Sequence, residues 1–249
     1  MVFEGYRTVR GTIRSLRMYY GDRARARAMD RLHGGLVRRD DLVFDIGAHV
    51  GDRVASFRRL GARVVAVEPQ PALSRLLKLF YGRSVDVAIE AVAIGRGVGS
   101  ADLMINLDNP TVSTASREFV SAARDAPGWE TQRWTRSVVV PVTTLDALID
   151  KYGLPAFIKI DVEGFEQEAL LGLTRAVKAL SFEFTIIQRD VALACIERCI
   201  ALGFTRFNAA LGESQTFVNA EWVGGEQVAR WLTGLPPKAN SGDIYAAFA

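Results

Sequence analysis

Carboxylates that stand where a strand gives way to a turn can hold a cationic ligand, accept a proton or ligate a metal. This 249-residue chain offers them at three such points. In Val43-Phe44-Asp45-Ile46-Gly47-Ala48-His49-Val50-Gly51-Asp52 an apolar run delivers Asp45 to a glycine-containing turn that opens into a helical pattern. Glycine lets the backbone approach a ligand closely, and a helix N-terminus offers free N–H groups. The dinucleotide fingerprint G-x-G-x-x-G would need glycine at positions 49 and 52, where His49 and Asp52 stand. Asp45 would repel a pyrophosphate, but it suits a cation such as the amino group of a methionine moiety. Glu68 ends the next β-branched run, where an acidic side chain can accept from both hydroxyls of a ribose. The third point is Phe157-Ile158-Lys159-Ile160-Asp161-Val162-Glu163-Gly164-Phe165-Glu166. Period-two geometry puts Lys159, Asp161 and Glu163 on one side if the strand runs that far. Charges alternating within an apolar strand are costly unless they pair or work.

The elements that must position these residues alternate between strand and helix. Strands are expected at Leu42–Ile46, Arg63–Val67, Val85–Ile94, Ala101–Leu107, Arg136–Thr143, Ala156–Ile160 and Leu180–Ile187. Helices are expected at Val50–Leu60, Pro71–Tyr81, Ser116–Arg124, Thr144–Tyr152 and Phe165–Leu171. The C-terminal part reads as a helix (Val191–Leu202), a strand pair (Thr205–Ala209 and Gln215–Val218), a helix (Glu226–Leu232) and a last strand (Ile244–Phe248). Such alternation points to a mostly parallel α/β sheet with helices on both faces. Right-handed connections place the strand ending at Glu68 beside the one ending at Asp45. A polar loop, Asp108–Thr114, interrupts the pattern, and long loops in compact domains are usually functional.

Taken together, Asp45-Ile46-Gly47-Ala48-x-x-Gly51, Glu68-Pro69, Thr143-Thr144-Leu145-Asp146 and the Ile158–Gly164 block with Glu166 resemble the FkbM-type S-adenosylmethionine-dependent methyltransferases. The resemblance covers roughly Leu42 to Thr185. It implies a class I methyltransferase-like (Rossmann-like) seven-stranded sheet, S-adenosyl-L-methionine as cofactor, and methyl transfer to a hydroxyl of a small-molecule or glycan acceptor such as a sugar or secondary metabolite. It further implies cofactor contacts from Asp45, Gly47, Gly51 and Glu68, with Ala91 and Val92 near the adenine. His49, where the family usually carries Asn, and Asp161 join that set. The sulfonium is already activated, so catalysis is chiefly in-line positioning, helped by a group that takes the hydroxyl proton. Asp161 and Glu163 are the leading candidates, then His49, then Glu183. Two carboxylates without a clear third ligand favour direct proton acceptance over a metal. The broken fingerprint disfavours a dehydrogenase, and the intact cofactor motifs disfavour a non-catalytic binding module on the same fold.

Composition agrees with an enzyme of this kind. With 49% hydrophobic and 24% charged residues the chain is neither disordered nor fibrous, and no apolar run approaches a membrane span. Cys195 and Cys199 cannot staple the fold, stand one turn apart on an apolar helix, and read as core residues of a reduced, cytoplasmic protein. The net charge of +3 conceals a basic head, since residues 1–39 carry ten arginines against Glu4, Asp22 and Asp30. Lacking an aromatic platform or a recognition motif, that head does not read as a nucleic-acid site. The expected organisation is an N-terminal helical extension over residues 1–40 and a catalytic domain over 41–249. In the extension Tyr6, Val9, Ile13, Leu16 and Tyr20 form a helical stripe expected to pack on the body or on a second copy. Trp129 and Trp134, flanking Arg133, could line an acceptor pocket, an exposed edge or a dimer contact.

Overall fold

The computed structural model describes residues 2–248, with side chains from Arg7 onward. Helices α1 (Val2–Tyr20) and α2 (Arg23–Gly34) come first, and Asp22 caps α2 by accepting from the N–H groups of Ala24 and Arg25. The units β1 (Leu42–Ile46), α3 (Asp52–Arg59), β2 (Arg63–Val67), α4 (Pro71–Tyr81) and β3 (Val87–Glu90) follow. Next come the two-residue β4 (Ala93–Ile94), β5 (Gly99–Ile105), α5 (Arg117–Arg124) and β6 (Arg136–Thr143). The second half holds α6 (Leu145–Tyr152), β7 (Phe157–Ile160), α7 (Glu166–Leu171), β8 (Ala179–Thr185), α8 (Arg189–Ala201), β9 (Arg206–Leu211), α9 (Gly225–Thr233) and β10 (Ser241–Ala247).

Among the described residues the main sheet has seven strands in the order β3-β2-β1-β7-β8-β10-β9. It is parallel from β3 to β8, and β10 enters antiparallel between β8 and β9. The order reverses between β1 and β7, where open α/β sheets leave a crevice beyond the strand ends. Strand alternation splits the core by face. Phe44, Ile46, Ile158, Ile160 and Phe182 belong to one cluster, and Val43, Val64, Ala66 and Phe157 to the other. Residues such as Phe157, with no exposed surface, are worth about 3–5 kcal/mol against truncation to alanine. Cys195 and Cys199 are buried free thiols in the first cluster, as expected.

Four expectations need correction. The run Val85–Ile94 is not one strand: β3 pairs with β2, whereas Ala93 and Ile94 pair with Val142 and Thr143 in a separate three-stranded sheet, β4-β6-β5. Hydropathy continues through Ala91 and Val92 while the hydrogen-bonding partner changes. No strand forms at 215–218, because Gln215 turns the chain with φ +52°. Trp129 and Trp134 build a satellite core around Phe119, with Trp134 Nε1 donating to the Val112 carbonyl at 2.7 Å. Neither lines the cleft at the ends of the parallel strands.

The fourth concerns one of the two expected partners of the α1 stripe, the body of this chain, which most of the stripe does not face; packing on a second copy stays an expectation. Val9, Ile13 and Tyr20 are exposed, and the side chain of Tyr6 lies outside the described residues. The helix docks through small residues on nearly the opposite face, with Gly11 and Ser15 buried. A Cβ on Gly11 would come within 2.6 Å of the Leu107 carbonyl oxygen, so backbone closeness outranks hydrophobicity in choosing the packed face.

Candidate active site

The cleft lies beyond the C-terminal ends of β1, β2 and β7 and encloses about 810 Å³ of empty space, its solvent-open margin included. Its first wall is the turn after β1. The N–H groups of Gly47 and Ala48 donate to the Val67 carbonyl at 2.9 and 3.0 Å, and Asp161 N–H donates to the Ile46 carbonyl at 2.9 Å. Gly47, at φ +82°, passes so close to β7 that a Cβ would sit 1.8 Å from the Asp161 carbonyl oxygen. Gly51 has a different reason: at φ +84° its missing Cβ would meet Leu77 of α4 at 2.8 Å. It therefore serves helix packing and does not line the cleft.

Glu68 lines the cleft although only 2% exposed. It accepts from His49 N–H at 2.9 Å and Gln70 N–H at 2.7 Å, so it ties the glycine turn to the start of α4. Burial raises its carboxyl to about 7 against the pull of those two donors. Asp45 is fully buried behind the turn, and neither carboxylate oxygen has a hydrogen-bond partner. Burial raises it, too, to about 7, opposing the nearby Arg53 charge. It stands outside the cleft lining, as does Ala91, whereas Val92 faces the cleft. His49 lines the cleft edge-on to Tyr19 at 5.5 Å, and its Nε2 is buried and unpartnered. Burial lowers the imidazole to about 4, so it is neutral at pH 7.

The opposite end is acidic. β7 stops at Ile160, so the expected period-two row does not extend to Glu163. Glu163 reaches the cleft through a left-handed turn at φ +54°, anchored by Thr114 Oγ1 donating to its carbonyl at 2.6 Å. Lys159, 1% exposed, places Nζ 3.2 Å from Asp161 and 2.9 Å from Asp243. Arg53 approaches Asp161 at 3.4 Å. Burial alone would raise Asp161, but the Lys159 and Arg53 charges outweigh it and hold the carboxyl at about 2. Glu163 and Glu183 move the other way, raised by burial and then by neighbouring carboxylates, Asp161 foremost. The structure thus brings together Gly47, His49, Glu68, Val92, Asp161, Glu163 and the lower-ranked Glu183, while Asp45, Gly51 and Ala91 support from behind.

Sequence reasoning missed Tyr19, Arg53 and Glu213, which also line the cleft. Arg25 bridges Asp52 at 3.0 Å and Glu213 at 2.6 Å, fastening the basic head to the cleft rim. Tyr19 was one residue away from a position singled out, and no local pattern marks Glu213. Thr111 and Ser113 of the polar loop are on the cleft wall, as a functional loop should be.

The buried, unpartnered atoms of His49 and Glu183 and the close backbone at Gly47 describe a cleft built for a polar, cationic ligand, which fits an adenosyl sulfonium. Comparisons with known proteins agree with the geometry. The family described as "Methyltransferase FkbM domain" matches residues 45–232. No curated protein matches the chain. Among solved structures it is similar to a precorrin-6y C5,15-methyltransferase from Geobacter metallireducens, at 14% identity and TM-score 0.45, covering 90% of this chain and 87% of that one. It is also similar to a magnesium protoporphyrin IX methyltransferase from Synechocystis with bound S-adenosylmethionine, at 10% identity and TM-score 0.48, covering 96% and 84%. With the glycine turn, Glu68 and the Lys-Ile-Asp-Val-Glu-Gly block in place, the chain belongs to the FkbM family of S-adenosylmethionine-dependent methyltransferases.

Proposed function

We propose that this protein transfers the methyl group of S-adenosylmethionine to a hydroxyl oxygen of a small-molecule or glycan acceptor, a sugar or secondary metabolite being the class expected. The observation that carries the reading is a single cleft with Glu68 and the glycine turn at one end and Asp161, Glu163 and Glu183 at the other. Glu68 would hold the ribose hydroxyls, the backbone at Gly47 and His49 the amino-acid end, and Val92 the adenine side. When bound, the cofactor supplies an activated methyl on a sulfonium.

The chain's own residues do the rest. Asp161, pinned by Lys159 and Arg53, is a fixed negative charge and a poor proton acceptor. Glu163 and Glu183 are better matched, since their raised carboxyls lie closer in proton affinity to a hydroxyl under attack. An incoming positive charge favours their ionised forms. His49, neutral with a free Nε2, is a second acceptor within the cleft. Tyr19, Thr111 and Ser113 add hydroxyl groups along the wall, suited to orienting an oxygen-rich acceptor.

The test is incubation with methyl-labelled S-adenosylmethionine and a panel of sugars, macrolactones, phenols and amines, followed by mass spectrometry. Label on oxygen is the expected result. Label confined to nitrogen or carbon overturns the hydroxyl reading, and failure of S-adenosylhomocysteine to bind the folded protein overturns catalysis altogether.

A further inference from the structure

The acidic end of the cleft carries more negative charge than its cations cover. Asp161, Glu163 and Glu183 each present one oxygen within 4.8 Å of the others. Lys159 and Arg53 serve Asp161, Asp243 and Asp52. Among the described residues no lysine or arginine forms an ion pair with Glu163 or Glu183. Glu163 is only 6% exposed and lines the cleft, yet its carboxylate takes no hydrogen bond from a described residue. Glu183 Oε2 is buried and likewise unpartnered. Buried carboxylates left in this state are costly, and a bound cation is the direct remedy.

We propose that Asp161, Glu163 and Glu183 form a site for a divalent cation, magnesium or manganese. The three ligands come from the end of β7, the turn beyond it and the adjoining strand β8, so the fold and not one flexible loop sets their spacing. The donor set is all carboxylate, which suits hard oxygen-seeking cations and not zinc or copper. Sequence reading set a metal aside for want of a third ligand, and Glu183 is that ligand. Register explains why it was hidden: Ile160 pairs with Phe182, so the next residues along, Asp161 and Glu183, come side by side. Octahedral coordination by three protein oxygens leaves positions for water and for an acceptor oxygen.

The cation's role rests on the reading of methyl transfer to a hydroxyl. A hydroxyl drawn to the cation loses its proton more readily. The proton passes to a carboxylate oxygen not used as a ligand. The acceptor oxygen then bonds to the methyl carbon, and the pair from the broken S–CH3 bond stays on sulfur.

The test is manganese binding by the full chain, followed by electron paramagnetic resonance of free Mn²⁺ and by calorimetry, with and without S-adenosylhomocysteine. One site per chain is expected, and Glu183→Gln should weaken it at least ~10-fold while remaining folded by melting profile. Glu163→Gln should do the same, and it decides the matter if Glu183→Gln does not fold. Absence of saturable Mn²⁺ binding in the wild-type protein, or equal binding in the folded variants, overturns the site. Mn²⁺ binding without S-adenosylhomocysteine binding keeps the site and sinks the transfer reading. Cofactor binding without Mn²⁺ does the reverse.

Discussion

Replacing Glu68 by glutamine tests the cofactor end of the cleft through pH. In the unliganded protein the carboxyl sits at about 7, so near pH 6 about one molecule in eleven is ionised and near pH 8 about ten in eleven. Ribose hydroxyls donating to Glu68 need the ionised form, so binding expels the proton. Wild-type affinity for S-adenosylhomocysteine should therefore rise about tenfold, ~1.4 kcal/mol, from pH 6 to pH 8, and level off above. The glutamine variant is neutral throughout. At pH 8 it should bind ~1.5–3 kcal/mol more weakly, the scale for hydrogen bonds to a charged group. At pH 6, where wild-type Glu68 is itself mostly protonated, the two proteins should converge. Asp45 also titrates near 7, but it is present in both, so the difference between the two curves isolates position 68. Stability runs in the opposite direction. A carboxyl raised from 4.5 to about 7 on folding destabilises the unliganded protein as pH climbs through that window. The variant should lose that dependence while leaving one backbone N–H, His49 or Gln70, facing an amide NH₂, at a cost of ~1–3 kcal/mol. The assay is isothermal titration calorimetry at pH 6, 7 and 8 on protein shown to be folded. Parallel curves for the two proteins would remove Glu68 from the cofactor site.

Three further perturbations follow from the geometry. Gly47→Ala forces a Cβ onto the Asp161 carbonyl at positive φ, and urea denaturation should show a loss above ~3 kcal/mol; a loss under ~1 kcal/mol would contradict the close approach. Lys159→Met leaves Asp243 without its ion-pair partner and Asp161 with Arg53 alone, and should cost ~3–5 kcal/mol, part of it recovered by adding Asp243→Asn; a neutral single variant would refute the pairing. Tyr19→Ala removes the edge-on contact with His49, worth ~0.5–1.5 kcal/mol, and should raise the Kd for S-adenosylhomocysteine in a protein whose Tm falls only slightly; an unchanged Kd would make Tyr19 a bystander.

The parallel half of the sheet was legible because its signals are local. Apolar runs lead to Asp45, Glu68 and Asp161, a turn follows close behind each, and the strands lie where those runs predicted. Boundaries failed where the cause is a change of partner. Val85–Ile94 keeps its hydropathy while passing from one sheet to another, and Gln215–Val218 reads as a strand although β10 pairs with β9 instead. The stripe on α1 marks a face able to pack, but the contact with the body is made by the other face of the helix, closely at Gly11 and Ser15. Glu163 was found by an alternation that the structure does not keep, and a left-handed turn delivered it to the same cleft.

Both ends of the chain complete a site whose family match spans only 45–232. Tyr19 and Arg25 come from before that span, and Asp243 from after it. The reason lies in the topology. β10 does not extend the sheet at its rim but lies between β8 and β9, so a strand that follows β9 in the chain is an interior one. Its register sets Asp243 against Glu183, one strand over from Lys159. β10 therefore adds a second counter-ion for Lys159, Asp243, to the one that Asp161 provides from the end of its own strand. That ammonium fixes Asp161 as an anion, and Asp161 borders the backbone turn at Gly47. The glycine turn, the acidic end of the cleft and β10 are thus one electrostatic unit. A sequence scan meets them as separate motifs because more than a hundred residues lie between groups that the sheet brings to neighbouring strands, as from Asp45 to Lys159.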